Sequence, residues 1–313
     1  MTRPGSAEDE GSTRPVADFR TLGPNQSAQL WLLDIETGQS RLLVSSERQL
    51  FEAPNWHPSG EWIVVNAEGR LFRAATDEGA ALELIHTEGL PALNNDHLVS
   101  PDGRFHFVSA QDGHIWRVPW NGGTGQRISR SKSADRGFRH YLHGISPDGD
   151  SIAFVGTEAL GDQPAGQRAL WIRNTRTGVE NLVGSGYSPA DGPEFSPDGD
   201  WLYFNSEINS TTPGHAQIFR CHLHSGELEQ MSFDHHVNWF PHISPDSAHV
   251  AYLRFPVGTT GHPPDRPVVI CLLDLETRRT QEVAHLHGGQ GTLNVSSWSP
   301  DSKKVAYVAY PST

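Results

Sequence analysis

One four-residue turn recurs six times along this chain, and a repeat of that kind leaves few folds open. It reads His57-Pro58-Ser59-Gly60, Ser100-Pro101-Asp102-Gly103, Ser146-Pro147-Asp148-Gly149, Ser196-Pro197-Asp198-Gly199, Ser244-Pro245-Asp246-Ser247 and Ser299-Pro300-Asp301-Ser302. The steps between first residues are 43, 46, 50, 48 and 55, a period that marks a repeat architecture rather than several independent domains. The turn chemistry is local. Pro presets φ at the first central position, Asp bonds to nearby backbone, and Gly accepts φ > 0.

An apolar or alternating run follows each turn, as in Trp62-Ile63-Val64-Val65, Ile152-Ala153-Phe154-Val155 and Val250-Ala251-Tyr252-Leu253, and reads as a strand. Two further runs and a short stretch before each turn bring the unit to four antiparallel strands, the content of a propeller blade. At the N-terminus, Gln29 to Asp34 and Arg41 to Val44 supply the third and fourth strands of a blade that lacks its first two. At the C-terminus, Val295 to Trp298 and Lys304 to Val308 supply a first and second without the rest. The expected fold is therefore all-β: a six-bladed β-propeller over residues 28–313, its last blade closed by both chain termini, which removes an open sheet edge.

Charge narrows the partners. The net charge is −13 with a pI near 5.7, so a nucleic-acid partner is not expected, nor is an acidic membrane surface. No run approaches the ~20 apolar residues of a membrane span. Residues 1–27 lack the basic start and apolar centre of a secretory signal and read as a disordered leader. Cys221 and Cys271 fall in third-strand runs of neighbouring blades, too far apart for a disulfide. Two buried, reduced thiols point to a cytoplasmic protein.

The connections on one side of the ring are short turns, and those on the other are long, including 156–167, 205–217 and 254–266 between strands and 129–144 between blades. Long loops on a rigid scaffold are where binding and catalysis usually sit. The blade-to-blade loops feed the innermost strands, so their last residues converge on the central channel. They carry Glu52, Asn55, Asn94, Asn95, Asp96, His97, Arg136, Arg139, His140, His143, Asp191, Glu194, Asp234, His235, His236, Asn238, His242, His285, His287, Gln290 and Asn294, which includes eight of the 17 histidines. Counted back from the following turn, Glu194 and His242 share one register, two residues before it, and His97 and His143 lie three before. Two readings of this set stand side by side. In one, His143, Glu194 and His242, with His97 or Gln290, hold a divalent metal (Mn, Fe, Ni or Zn) as a Lewis acid. In the other, the same groups satisfy one another in a wet channel. Asn55, Arg136, Asn238, Trp239 and Asn294 are candidate substrate contacts, and Trp239-Phe240-Pro241 is either a sugar-stacking platform or packing between blades.

The repeated Ser-Pro-Asp-Gly turn with an apolar or aromatic strand after it resembles the TolB-type (WD40-like repeat) β-propellers, over residues 28–313. Among these, a His-rich axial site is similar to that of oligogalacturonate lyases. That resemblance implies a carbohydrate-processing activity on a small-molecule or oligosaccharide substrate. It implies His143, His242 and Gln290 as metal ligands, His97 or His140 as general base, and Arg139 as a carboxylate clamp. The sequence departs from the lyases in having six blades and no closely spaced Gln-His-His cluster. The other implication, from TolB itself, is a non-catalytic propeller that receives a peptide in its channel.

Overall fold

A computed structural model describes residues 19–130, 137–158, 168–184, 187 and 189–312. Five sheets of four antiparallel strands follow one another around a ring, each with strands in chain order from the axis outward. Their innermost strands are Glu52–Trp56, Leu93–Val99, Arg139–Ile145, Ala190–Phe195 and Val237–Ile243, which define blades 1 to 5. Blade 6 joins the termini, as expected. Lys304–Ala309 pairs with Ala28–Asp34, which pairs with Ser40–Ser46. Leu30, Leu33, Val305, Ala306 and Val308 are fully buried along this seam.

The repeated turn explains its own composition. The Ser hydroxyl donates to the Asp carboxylate at 2.6 Å in Ser100–Asp102, Ser146–Asp148, Ser244–Asp246 and Ser299–Asp301. It also accepts the backbone N–H that opens the next strand, as from Phe105 at 3.0 Å and Ser151 at 2.9 Å. In blade 1, where His57 replaces Ser, its Nδ1 and the Ser59 hydroxyl lie 2.8 Å apart.

Two expectations change. Val295–Trp298 is not the innermost strand of blade 6; only Trp298 bridges to Val305. The segment instead enters the channel, with Thr292, Leu293, Val295 and Ser297 fully buried. Residues 19–27, expected within the leader, lie among the described residues. Arg20 bonds Glu52 at 3.1 Å, Asp265 at 2.8 Å and the Gln290 carbonyl at 3.0 Å, and its guanidinium lies 4.0 Å over the Tyr310 ring. Residues 1–18 lie outside the described part of the chain. Cys221 and Cys271 are free and buried, and burial pushes their thiols up to about 11 and about 12.

Candidate functional site

Every innermost strand of blades 1 to 5 carries a register shift in its pairing to the second strand. A bulge of this kind re-aims the side chains beside it. Three blades build it with one frame: a residue at positive φ, a proline, then a polar residue. These are Ala53-Pro54-Asn55, Gly192-Pro193-Glu194 and Phe240-Pro241-His242, with φ of 56°, 61° and 56° at the first position. Glycine needs no help to adopt that conformation, whereas Ala53 and Phe240 are held in it by full burial.

The polar residues at the end of this frame form a lower belt that closes the bore. Glu194 Oε2 and His242 Nδ1 are 2.5 Å apart, and His242 Nε2–H donates to the Leu293 carbonyl at 2.9 Å. Trp298 Nε1–H donates to the His242 carbonyl at 2.8 Å. Asn55 donates to the Ser296 carbonyl and accepts from the Val99 N–H, both at 2.6 Å. Ser297 donates to the Pro54 carbonyl at 2.6 Å. In blade 3 the matching position is Gly144, where a Cβ would stand 2.6 Å from the Pro193 carbonyl oxygen. Residues 291–298 thus plug the channel and make it blind.

Above the plug lies a cavity of about 400 Å³ lined by Asn94, Asn95, Asp96, Gly137, Arg139, Tyr141, His143, Val155, Thr157, Glu158, Arg168, Asp191, Phe240, His262, Gln290 and Asn294. Its charged centre is His143. Nδ1–H donates to the Asn294 carbonyl on the opposite blade, and Nε2–H to Asp191 Oδ1, each at 3.2 Å. Burial works to lower the pKa of His143, but the carboxylates of Asp96 and Asp191 with the Asn294 carbonyl override it and hold it at about 9. Burial likewise acts to raise Asp191, yet the His143 hydrogen bond and charge, with Arg168 at 3.4 Å, keep it at about 2. Burial pushes Asp96 up to about 6, with Asp191 adding to the rise and His143 opposing it. The result is a carboxylate–imidazolium–carboxylate array in the cavity wall.

Of the residues singled out from the sequence, Arg139, His143, Gln290 and Asn294 meet at this cavity. His97 does not: it is fully buried with Nε2 3.4 Å from the Val64 carbonyl, and burial lowers it to about 4. His140 sits between blades 2 and 3, Nδ1–H donating to the Gly113 carbonyl at 2.7 Å, its ring against Phe138 and Phe154. Asn55 belongs to the lower belt. Asn238 bonds Gln217, Ser232 and Asp234 in a buried network. Trp239 packs in the core of blade 5 against Phe240, and Phe240 itself lines the cavity. Arg136 lies outside the described residues. Asp96 and Asp191 stood among the channel residues with no role assigned, and Arg168, His262 and Tyr141 were missed. Arg168 and His262 lie at or within long top loops, and that loop length was the available signal.

The expected metal shell of His143, Glu194, His242 and Gln290 is engaged in other contacts. Both ring nitrogens of His143 and of His242 are occupied by oxygen partners, Glu194 is bound to His242, and the Gln290 carboxamide oxygen is bound to His262 Nδ1. Among the described residues, no group of three or more His, Cys, Asp or Glu side chains is placed to hold a metal ion. The donor set as folded does not fit a metal.

No model of a known protein family matches the sequence. A solved structure from Agrobacterium tumefaciens that carries the provisional name TolB is 32% identical, covers 93% of this chain and 100% of its own, and superimposes with a TM-score of 0.83. The chain belongs to the TolB-like β-propeller family. An uncharacterised protein of Agrobacterium fabrum is 32% identical over 292 residues, covering 92% of this chain and 94% of the relative. More distant solved structures share the fold alone. An oligogalacturonate lyase in complex with manganese is 12% identical with a TM-score of 0.56, over 85% of this chain and 75% of that one. TolB from Acinetobacter baumannii is 16% identical with a TM-score of 0.55, over 90% of this chain and 58% of that one. Among the described residues no helix of this TolB-like chain is long and apolar enough to cross a membrane.

Proposed function

We propose that the blind axial cavity binds a small sugar acid and acts on it as a carbohydrate-processing site. The observation that carries this reading is the convergence of Arg139, Arg168 and the His143 imidazolium with the amides of Asn94, Asn294 and Gln290 around one cavity of about 400 Å³. Small-molecule sites run from roughly 300 to 1,000 Å³, so the volume suits one or two sugar rings. Guanidinium groups match a carboxylate in geometry and charge, side-chain amides match hydroxyls as both donors and acceptors, and Phe240 and Tyr141 offer apolar faces to a pyranose. The oligogalacturonate lyase among the structural neighbours supports the same ligand class by its name. A peptide threaded through the channel meets the closed lower belt instead.

Calorimetric titration tests the reading with D-galacturonate and D-glucuronate against D-galactose and D-glucose. The acids bind at least about tenfold more tightly than the neutral sugars, a gap of roughly 1.4 kcal/mol, and Arg168→Ala narrows the gap. Equal affinity for acid and neutral sugar refutes the carboxylate reading. Failure of all four sugars while a peptide library binds replaces it with the peptide-receiving role.

A further inference from the structure

Two histidines line the axial cavity, and only one has a ring nitrogen to spare. His143 donates through both nitrogens to oxygen acceptors. His262 bonds only through Nδ1, to the carboxamide oxygen of Gln290, and Nε2 makes no hydrogen bond with any described residue. With a carbonyl-type oxygen as acceptor, the ring proton sits on Nδ1 and the lone pair on Nε2. The ring is held in place on its other sides. Trp239 lies 4.5 Å and Phe240 5.0 Å from it, centroid to centroid. Its own loop is clamped to the Gln290 loop, where a Cβ on Gly289 would stand 2.1 Å from the Pro263 carbonyl oxygen. Phe240 also stacks on His143, with centroids 6.0 Å apart, so the free lone pair and the buried cation flank one aromatic ring.

We infer that His262 is the proton-transfer base of this cavity, taking through Nε2 a proton from the carbon next to a carbonyl of the bound ligand. The inference rests on the sugar-acid reading above, since uronates carry both a carboxylate and, in the open-chain form, an aldehyde with an acidic neighbouring C–H. Nε2 forms a bond to the proton, the C–H pair becomes the carbon–carbon double bond of an enediolate, and the carbonyl pair moves onto oxygen. The His143 imidazolium and the Arg168 guanidinium stand in the same wall to meet that developing charge. Return of the proton to C2 restores the aldehyde and neutral His262, return to C1 gives the ketose as the O2 hydroxyl proton passes to O1, and no oxidant or co-reactant enters. Incomplete access of water to the ring, first among the causes, lowers the pKa of His262 below the ordinary histidine value, which keeps the lone pair free at neutral pH.

The test follows D-galacturonate by proton NMR in D₂O with the intact chain. The wild type exchanges the hydrogen at C2 for deuterium, and His262→Gln slows that exchange about 100-fold or more, the span of general acid–base catalysis, while binding of the acid stays within about threefold. Exchange undiminished in His262→Gln overturns the inference, and so does tight binding with no exchange in the wild type. Loss of binding in the wild type refutes the sugar-acid reading instead. A ligand-free measurement guards against that case. Diethyl pyrocarbonate acylates unprotonated, accessible imidazole nitrogen, and peptide mass mapping shows His262 reacting ahead of His97, His143 and His242. A His262 that reacts no faster than those three has no free nitrogen and cannot be the base.

Discussion

The cavity's charged array makes stability depend on pH in a direction that can be worked out. His143 rises from an ordinary value of 6.5 to about 9 in the folded protein. A base whose folded pKa is raised contributes stability that is complete below its unfolded pKa and disappears as pH climbs through the folded one. At about 1.4 kcal/mol per pKa unit, the contribution is roughly 3 kcal/mol at pH 6, between about 2 and 3 kcal/mol at pH 7 and well under about 1 kcal/mol at pH 9.5. Asp96 and Asp191 face the ring and share the effect. The reference is therefore the triple variant Asp96→Asn, His143→Gln, Asp191→Asn, which removes the ring and both carboxylates that face it. Urea unfolding of wild type and triple variant from pH 7 to 9.5 gives a stability difference that moves against the wild type by about 2 kcal/mol, while the tyrosines and thiols common to both chains cancel. A difference that stays flat within about 0.5 kcal/mol would refute the assignment of His143 as a buried imidazolium.

Three further outcomes follow from the geometry. Asn55→Ala strips partners from the buried Val99 N–H and Ser296 carbonyl and lowers stability by about 2 kcal/mol or more, since each orphaned group costs roughly 1–3 kcal/mol; a denaturant midpoint equal to wild type would show that the lower belt is not bonded as described. Val308→Asp puts a charge into the fully buried seam between the termini and unfolds the ring, a loss of about 4 kcal/mol or more, whereas Val179→Asp at a position 54% exposed stays within about 0.5 kcal/mol; circular dichroism melts of the pair decide it. Elemental analysis of untagged protein finds the same transition-metal content in wild type and in the His143→Ala, His242→Ala double variant. One equivalent that vanishes in the variant would show that these imidazoles leave their oxygen partners to bind a metal.

The fold was legible because its signal is short-range. A serine hydroxyl bonding a carboxylate two residues on, and a backbone N–H five residues on, needs no tertiary partner, so six copies spell six blades. Closure was legible by the same logic, since an incomplete blade stood at each end. Val295–Trp298 was misread because its buried, mostly non-charged residues look like any inner strand; what buries them is a plug position, with Ala53, Pro54, His143 and His242 around the segment, and no pattern along the chain encodes neighbours from three other blades.

The site was legible only down to the bulge. Glu194 and His242 share a register and a Pro-containing frame, and they meet, as their spacing suggested. His97 and His143 also share a register, yet one is sealed between blades and the other reaches the axis. The pairing explains the difference: from Leu93 to His97 the inner strand advances four residues against two on its partner, and from Leu142 to Gly144 two against one. An extra residue more or less turns a side chain to the other face of a strand, so a register counted from the turn predicts direction only where the bulges are equal. Arg168 and His262 lie outside any such count, because they come from or border the long loops between second and third strands, which do not repeat. A repeat specifies the parts that every blade must share, and the groups that distinguish this cavity stand where the blades are free to differ.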